Sequence, residues 1–350
     1  MTLTLPATDG AERAVAPDLR RRRTLGLVVV LATLVVAVGL SLALGSKPLS
    51  LGEVIGALTG AEDGSEASTI VIGQRIPRTV VALLVGAALA VAGALMQGLT
   101  RNPLADPGLL GVGAGSAFAM AVGFMLFPGL AMLGLVGFSF AGAIVTTVAV
   151  YLIGTAGRGG ATPLTLTLAG VAIAAVLSGL TSIMRILSAS TFSEMRVWDA
   201  GVIANRGWDV IGVVAPFIVA GLLLAAAAAH GLNAVALGDD LATALGSNQR
   251  RTRIEVVVGV TLLCGAATAA VGPIWFLGLM VPHVARWLTG PDQRWILAYS
   301  ALIGPVILLL SDVIGRMVVR PDEISAGVVT ALVGAPVLIA MVRRPRASAL

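Results

Sequence analysis

Few side chains in this chain of 350 residues could do chemistry. It has one lysine, Lys47, standing between Ser46 and Pro48. A phosphate-cradling loop needs Gly-Lys followed by Ser or Thr, so ATP cannot be held here in that way. The histidines, His230 and His283, are far apart, and the single cysteine, Cys264, lies inside an apolar run. One thiol makes no internal disulfide and no metal site, so Cys264 reads as a small core residue. His283 follows Pro282 and reads as a hydrogen bonder at a helix end. No nucleophile and base stand together, and no catalytic residue, metal site or cofactor is expected. What remains is charge. Arg75, Arg78 and Arg316 stand at the edges of apolar runs, where a long side chain can snorkel to water or pair locally. Asp312 precedes Arg316 by one helical turn and could pair with it on one face. Asp312 is also the one acid placed to serve an ion-coupled carrier, which needs carboxylates within the membrane.

Composition says where these charges must sit. Apolar residues make up 57% of the chain and charged residues 12%, with a mean hydropathy of +0.97. A water-soluble domain carries about a quarter charged residues, so most of this surface faces lipid. The net charge of +5 reflects arginine placed beside the cytoplasmic face, not a nucleic-acid surface. No basic patch is interleaved with aromatics, as base stacking would require. Arg20–Arg23 precede the apolar run Leu25–Gly45. That run is about 20 residues long, against the roughly 7–15 of a signal peptide, and reads as an uncleaved first span.

A helix needs about 20 apolar residues to cross the hydrocarbon core. Uncharged runs of that kind cover Leu25–Gly45, Thr79–Thr100, Gly159–Met184, Val210–Ala229, Trp295–Ser311 and Ile324–Val342. Pro107–Gly157 has room for two spans, with a turn at Phe127-Pro128-Gly129. Val256–Ala285 is long for one span, and Gly272-Pro273 lies near its middle. Two spans there give ten in all with both termini cytoplasmic. They put 15 of the 23 Lys and Arg on the cytoplasmic side and seven outside, the better fit to the positive-inside rule. The expectation is therefore an all-α polytopic membrane protein. Residues 1–24 form a cytoplasmic tail, 25–342 the transmembrane domain, and 343–350 a second cytoplasmic tail.

The segments between spans position the remaining candidates. Ser46–Arg78 is the longest outer loop, with Ala61–Glu66 as a solvated tip. His230–Arg253 is the longest inner loop. Within it Asp239 can cap a short helix, Asp240 suits its first turn, and Gly246 can close it. Leu241, Ala244 and Leu245 then share a face that suits either a groove on another protein or the bilayer surface. Thr162-Pro163-Leu164 reads as a helix start, with proline in the first turn. Small residues one turn apart, as at Gly111 and Gly115, allow close helix packing in lipid.

Three blocks carry a resemblance. The first is Arg75–Ala114, RIPRTVVALLVGAALAVAGALMQGLTRNPLADPGLLGVGA. The second is Leu232, Asn233, Ala236, Leu237, Gly238, Asp239, Ala242, Leu245 and Gly246. The third is Phe276–Arg286 (FLGLMVPHVAR) with Arg320–Val337. Together they resemble the FecCD-type permeases, the membrane subunits of ATP-dependent importers for iron-siderophores, haem and cobalamin. The resemblance departs at Ile324-Ser325, where the family usually has proline. It implies a bacterial plasma-membrane subunit that works as a homodimer or close heterodimer, with the path between two permease copies. It implies a coupling loop at Leu237–Gly246, Asp240 and Leu241 included, that docks separate ATP-binding cassette subunits. Arg75, Arg78 and Arg316 would receive glutamates of an extracytoplasmic substrate-binding protein. Thr162, Pro163 and Leu164 would fall at the cytoplasmic gate. Ferric siderophores are the first expected cargo, cobalamin and haem the alternatives.

Overall fold

The structure, a computed structural model, describes residues 11–61, 64–156, 162–244 and 246–343. Its regular elements among those residues are helices. The first, α1 (Ala11–Ala43), begins well inside the stretch expected to be a tail. The expected outer loop is largely helical as well. Ser50 and Glu53 form a reciprocal capping box that starts α2 (Leu51–Thr59), and left-handed Gly60 ends it. Ser65 caps α3 (Glu66–Ile70), which runs through a π-helical turn at Val71–Arg75 into α4 (Ile76–Thr100). Helices this brief carry no membrane-length apolar run and so no span signal in the sequence. The tip residues 62 and 63 lie outside the described residues.

Arg101, in a left-handed conformation, and Asn102-Pro103 end α4. Asp106 then caps a 3₁₀ turn at Pro107–Leu110 before α5 (Val112–Leu126). The turn expected at Phe127-Pro128-Gly129 leads into α6 (Met132–Thr155). Next come α7 (Pro163–Leu187), the short α8 (Ala189–Asp199), α9 (Trp208–Ala236) and α10 (Asp239–Ala244). The ambiguous run resolves into two helices, α11 (Gln249–Val271) and α12 (Leu277–Thr289). They part where Gly272-Pro273 was expected to break them. Both Gly272 and Phe276 take positive φ there, 82° and 66°. A bulky residue at such a φ is costly; the Phe276 ring finds its space over Gly334, which has no side chain to meet it. The last two helices are α13 (Gln293–Val318) and α14 (Ala326–Val342).

Among the described residues seven helical stretches are long and apolar enough to cross a membrane, the continuous Glu66–Thr100 among them. α5 and α14 are shorter apolar helices, and α12 is a short helix that carries His283 and Arg286. The most buried long stretch contains α4, which is packed on by α9, α11, α12 and α13. Two glycine crossings permit this. A β-carbon on Gly93 would sit 1.9 Å from the Gly278 carbonyl oxygen, and one on Gly86 would meet Gly304 and Pro305 backbone within 2.8 Å. Lipid is as apolar as leucine, so close backbone approach, not hydrophobic burial, must hold such helices together. Gly115 likewise crosses Gly142 and Thr146, so the small-residue spacing read from the sequence does pack helices.

Candidate functional site

At one end of the bundle the three arginines form a single network. Arg78 on α4 grips Asp312 on α13 with two of its nitrogens, Nη2 at 2.7 Å from Oδ1 and Nε at 3.0 Å from Oδ2. Its Nη1 donates to Glu323 at 2.8 Å. Asp312, 1% exposed, is shared with Arg316, 2% exposed, at 3.0 Å. The expected one-turn pair thus exists, and Arg78 completes it. Arg316 also donates to Ser41 O and Leu44 O, while Arg75 donates to Leu42 O, Ala43 O and Lys47 O. All but Lys47 O, which lies in the loop beyond, are carbonyls at the C-terminal end of α1, where a helix leaves its last carbonyls without an intrahelical partner. Two cations there satisfy them and oppose the negative end of the helix dipole. Arg75 is 4% exposed, so neither it nor Arg316 stands free at the surface. Glu323 lies in the loop before α14. Burial raises its pKa, but Arg78 and the hydrogen bonds from Arg78 and Ser46 outweigh that and hold it below the ordinary carboxylate value.

The opposite end presents the segment 237–248. It is shorter than expected, because α9 continues through Ala236 and α11 starts at Gln249. The helix expected inside it is α10, but it begins at Asp239, so Gly238 takes the cap position instead of Asp239. Gly238, at φ 108°, accepts the Ala242 N–H through its carbonyl. Gly246, at φ 74°, closes the far end as expected. Ala242 is buried, whereas Leu237 and Leu241 are each 58% exposed and Asp240 and Ala244 are exposed too. Leu245 lies outside the described residues. Asn233 is not part of this presented surface. Its amide donates to Asp292 at 2.9 Å and accepts the Gln293 N–H, tying α9 to the start of α13.

Thr162 caps α7 with Thr165 in a reciprocal box, and Pro163 occupies the first turn. Leu164 projects beside them, exposed. His283 bonds the Pro103 carbonyl at 3.0 Å, which joins α12 to the turn after α4. Gln97, not among the expected site residues, is fully buried and donates to the Leu279 carbonyl at 3.1 Å. An uncharged amide inside an apolar helix was its only signal.

Between the two ends lies a cavity of about 490 Å³. It is bounded by the 106–109 turn, α5, α7, the end of α8, α11 and the 273–275 break. α7 lines it with Ser178, Thr181, Ser182 and Arg185, residues three and four apart and therefore on one face. Cys264 borders it, a buried thiol beside Thr268.

A polytopic helical bundle with a charged network at one end, a presented helix at the other and a cavity with one hydroxyl-bearing face between them fits a membrane transport protein. The comparisons give its family. The chain belongs to the FecCD transport family, whose match covers residues 33–344. It is 47% identical over 326 residues to the ferric enterobactin transport system permease protein FepD of Escherichia coli, covering 92% of this chain and 96% of that one. It is 39% identical to the iron(3+)-hydroxamate import system permease protein FhuB of Bacillus subtilis, over 93% of this chain and 85% of that one. A solved inward-facing ABC transporter described as of metal-chelate type superposes with a TM-score of 0.79 at 26% identity. That superposition covers 91% of this chain and 98% of the other.

Proposed function

We propose that this chain is the permease subunit of an ATP-dependent importer of ferric siderophores. The observation that carries the proposal is the 47% identity to a ferric enterobactin permease across nearly the whole of both chains. The Arg78 end then faces outward and the Gly238 end inward, with ten spans and both termini in the cytoplasm. The permease domain runs over 25–342, with tails at 1–24 and 343–350.

ATP hydrolysis belongs to separate cassette subunits, and α10 is their docking element. Leu237 and Leu241 are exposed beside a buried Ala242, which suits a short helix seated in another protein's groove. Gly238→Arg with Leu241→Asp is expected to abolish co-purification with the ATPase. An unchanged complex would refute that docking site.

Outside, a binding protein's glutamates are received at the arginine network. Arg75, Arg78 and Arg316 outnumber Asp312 and Glu323 there, so the cluster retains a positive charge. An incoming carboxylate takes the place of Glu323 on Arg78, with Arg75 and Arg316 supplying field from behind. Opposed charges of this kind steer and orient docking more than they tighten it. Reversing the charge at Arg78 weakens docking in a salt-sensitive way; unaltered affinity at low salt would count against it.

A second permease copy packs against α7, which lines the cavity on one face and exposes Leu168, Leu180 and Ile183 elsewhere. Thr162, Pro163 and Leu164 at its inner end form the gate. The deciding experiment is uptake of radiolabelled ferric siderophore in cells lacking the gene, with and without its restoration. ATP-dependent uptake restored by the gene supports the reading. Siderophore uptake indifferent to the gene would remove iron and leave haem and cobalamin.

A further inference from the structure

Arg185 is the feature that neither end of the bundle accounts for. It sits on the last turn of α7 and faces the cavity. Its Nη2 lies 2.8 Å from Asp199 Oδ2 at the end of α8. Its Nε is buried and has no hydrogen-bond partner. Beside Asp199, Trp198 lines the same cavity, and its Nε1 is likewise buried and unpartnered. A guanidinium carries five donors in a fixed fork, and leaving one of them buried and unmet is costly.

The other polar groups nearby do not compete as donors. Thr181 and Ser182 donate their hydroxyl hydrogens to Leu177 O and Ser178 O on their own helix. Among the described residues that line the cavity, Arg185 Nε and Trp198 Nε1 are the buried side-chain donors without a partner. Asp199 is 37% exposed and holds the guanidinium by one oxygen, so it can be exchanged for another acceptor.

We infer that Arg185 selects cargo by charge. A multiply anionic, oxygen-rich ferric chelate displaces Asp199 and takes the guanidinium with Trp198 Nε1. An uncharged chelate forms no such exchange and passes without it. The inference rests on the siderophore reading and names the cargo class within it. Planar, bidentate recognition of oxygen anions is what arginine does better than lysine.

The test is uptake of two radio-iron chelates, an anionic ferric tris-catecholate and a neutral ferric tris-hydroxamate, into cells lacking the gene. These carry the wild type, Arg185→Gln, Arg185→Lys or Asp199→Asn, each with its membrane level and ATPase co-purification measured. Arg185→Gln is expected to lower catecholate uptake roughly ten- to a hundredfold, the range for a lost charged hydrogen bond, and to leave hydroxamate uptake near wild type. Arg185→Lys restores part of the loss. Asp199→Asn, which frees the guanidinium, lowers the catecholate concentration needed for half-maximal uptake. That variant decides the matter if Arg185→Gln fails to accumulate. Equal loss of both chelates at normal protein level would overturn the inference. So would unchanged catecholate uptake, or a wild type that carries only the neutral chelate. A wild type that carries neither chelate would overturn the siderophore reading itself, and the charge selection with it.

Discussion

The two ends of this bundle look alike in the sequence and are built in opposite ways. Each shows a few polar residues at the edges of apolar runs. At the Arg78 end, the polar groups turn inward and bond one another and the end of α1 across four separate segments. At the Gly238 end, the polypeptide forms one short helix between two left-handed glycines and turns Leu237 and Leu241 outward. The difference is one of partners. A charge at membrane depth must be paired or it cannot stay, so the first end is consolidated by its own chemistry. A leucine in a short loop has no such obligation, and Leu237 and Leu241 stand exposed.

This contrast predicts a gradient of effects on the permease's own stability. The largest belongs to Arg316→Ala. It leaves Asp312 buried beside Arg78 alone and frees the Ser41 and Leu44 carbonyls. Breaking one side of a buried pair costs about 3–5 kcal/mol. Thermal unfolding in detergent should show a large fall, or the variant should fail to accumulate. A midpoint equal to that of the wild type would mean that the network does not hold α1 to α13.

The glycine crossing between the two ends comes next. Gly93→Leu drives a side chain into the Gly278 carbonyl, which lies 1.9 Å from where a β-carbon would stand. Overpacking of this kind costs about 1–3 kcal/mol. The same unfolding assay checks it, with Gly113→Ala as a control, since a β-carbon there meets nothing within 4 Å.

A smaller effect, confined to the arginine end, follows from Glu323. Its pKa is held below the ordinary value of 4.5 in the folded protein, chiefly by Arg78 working against burial. A depressed carboxylate contributes stability at pH values above its unfolded pKa, and that contribution is lost as pH falls through the folded pKa. The midpoint of unfolding should therefore drop below about pH 4.5 by more in the wild type than in Glu323→Gln. Parallel pH profiles for the two proteins would remove Glu323 from the network.

How much of this was legible in the sequence follows the same division. The spans were readable because lipid demands long uncharged runs, and the break at Gly272-Pro273 because the Val256–Ala285 run was too long for one helix. The Asp312–Arg316 pair was readable because its residues are one turn apart. The Arg78–Asp312 pair was not, because 234 residues separate its members and only the fold brings them together. The helices α2 and α3 were missed because they are too short for a membrane run. The closing glycine of α10 was readable because a left-handed turn favours that residue. The cap falls at Gly238, one residue before the expected Asp239, because an acidic side chain is the stronger cap signal in sequence while Gly238 caps through its carbonyl.

The smallest expected effect on stability is the one that tests the contrast most sharply. Leu241→Asp removes an exposed apolar side chain and places a charge in water beside Asp240. Exposed substitutions away from caps and buried groups change stability by about 0.5 kcal/mol or less, so the unfolding midpoint should stay at the wild-type value. Co-purification with the ATPase subunit should nevertheless fall away, because a carboxylate would have to be desolvated in an apolar groove. A fall in both measurements would mean that α10 is part of the permease's own scaffold, like the arginine end. A fall in neither would mean that the ATPase docks elsewhere. Only a stable permease that has lost its partner matches a surface built for another protein.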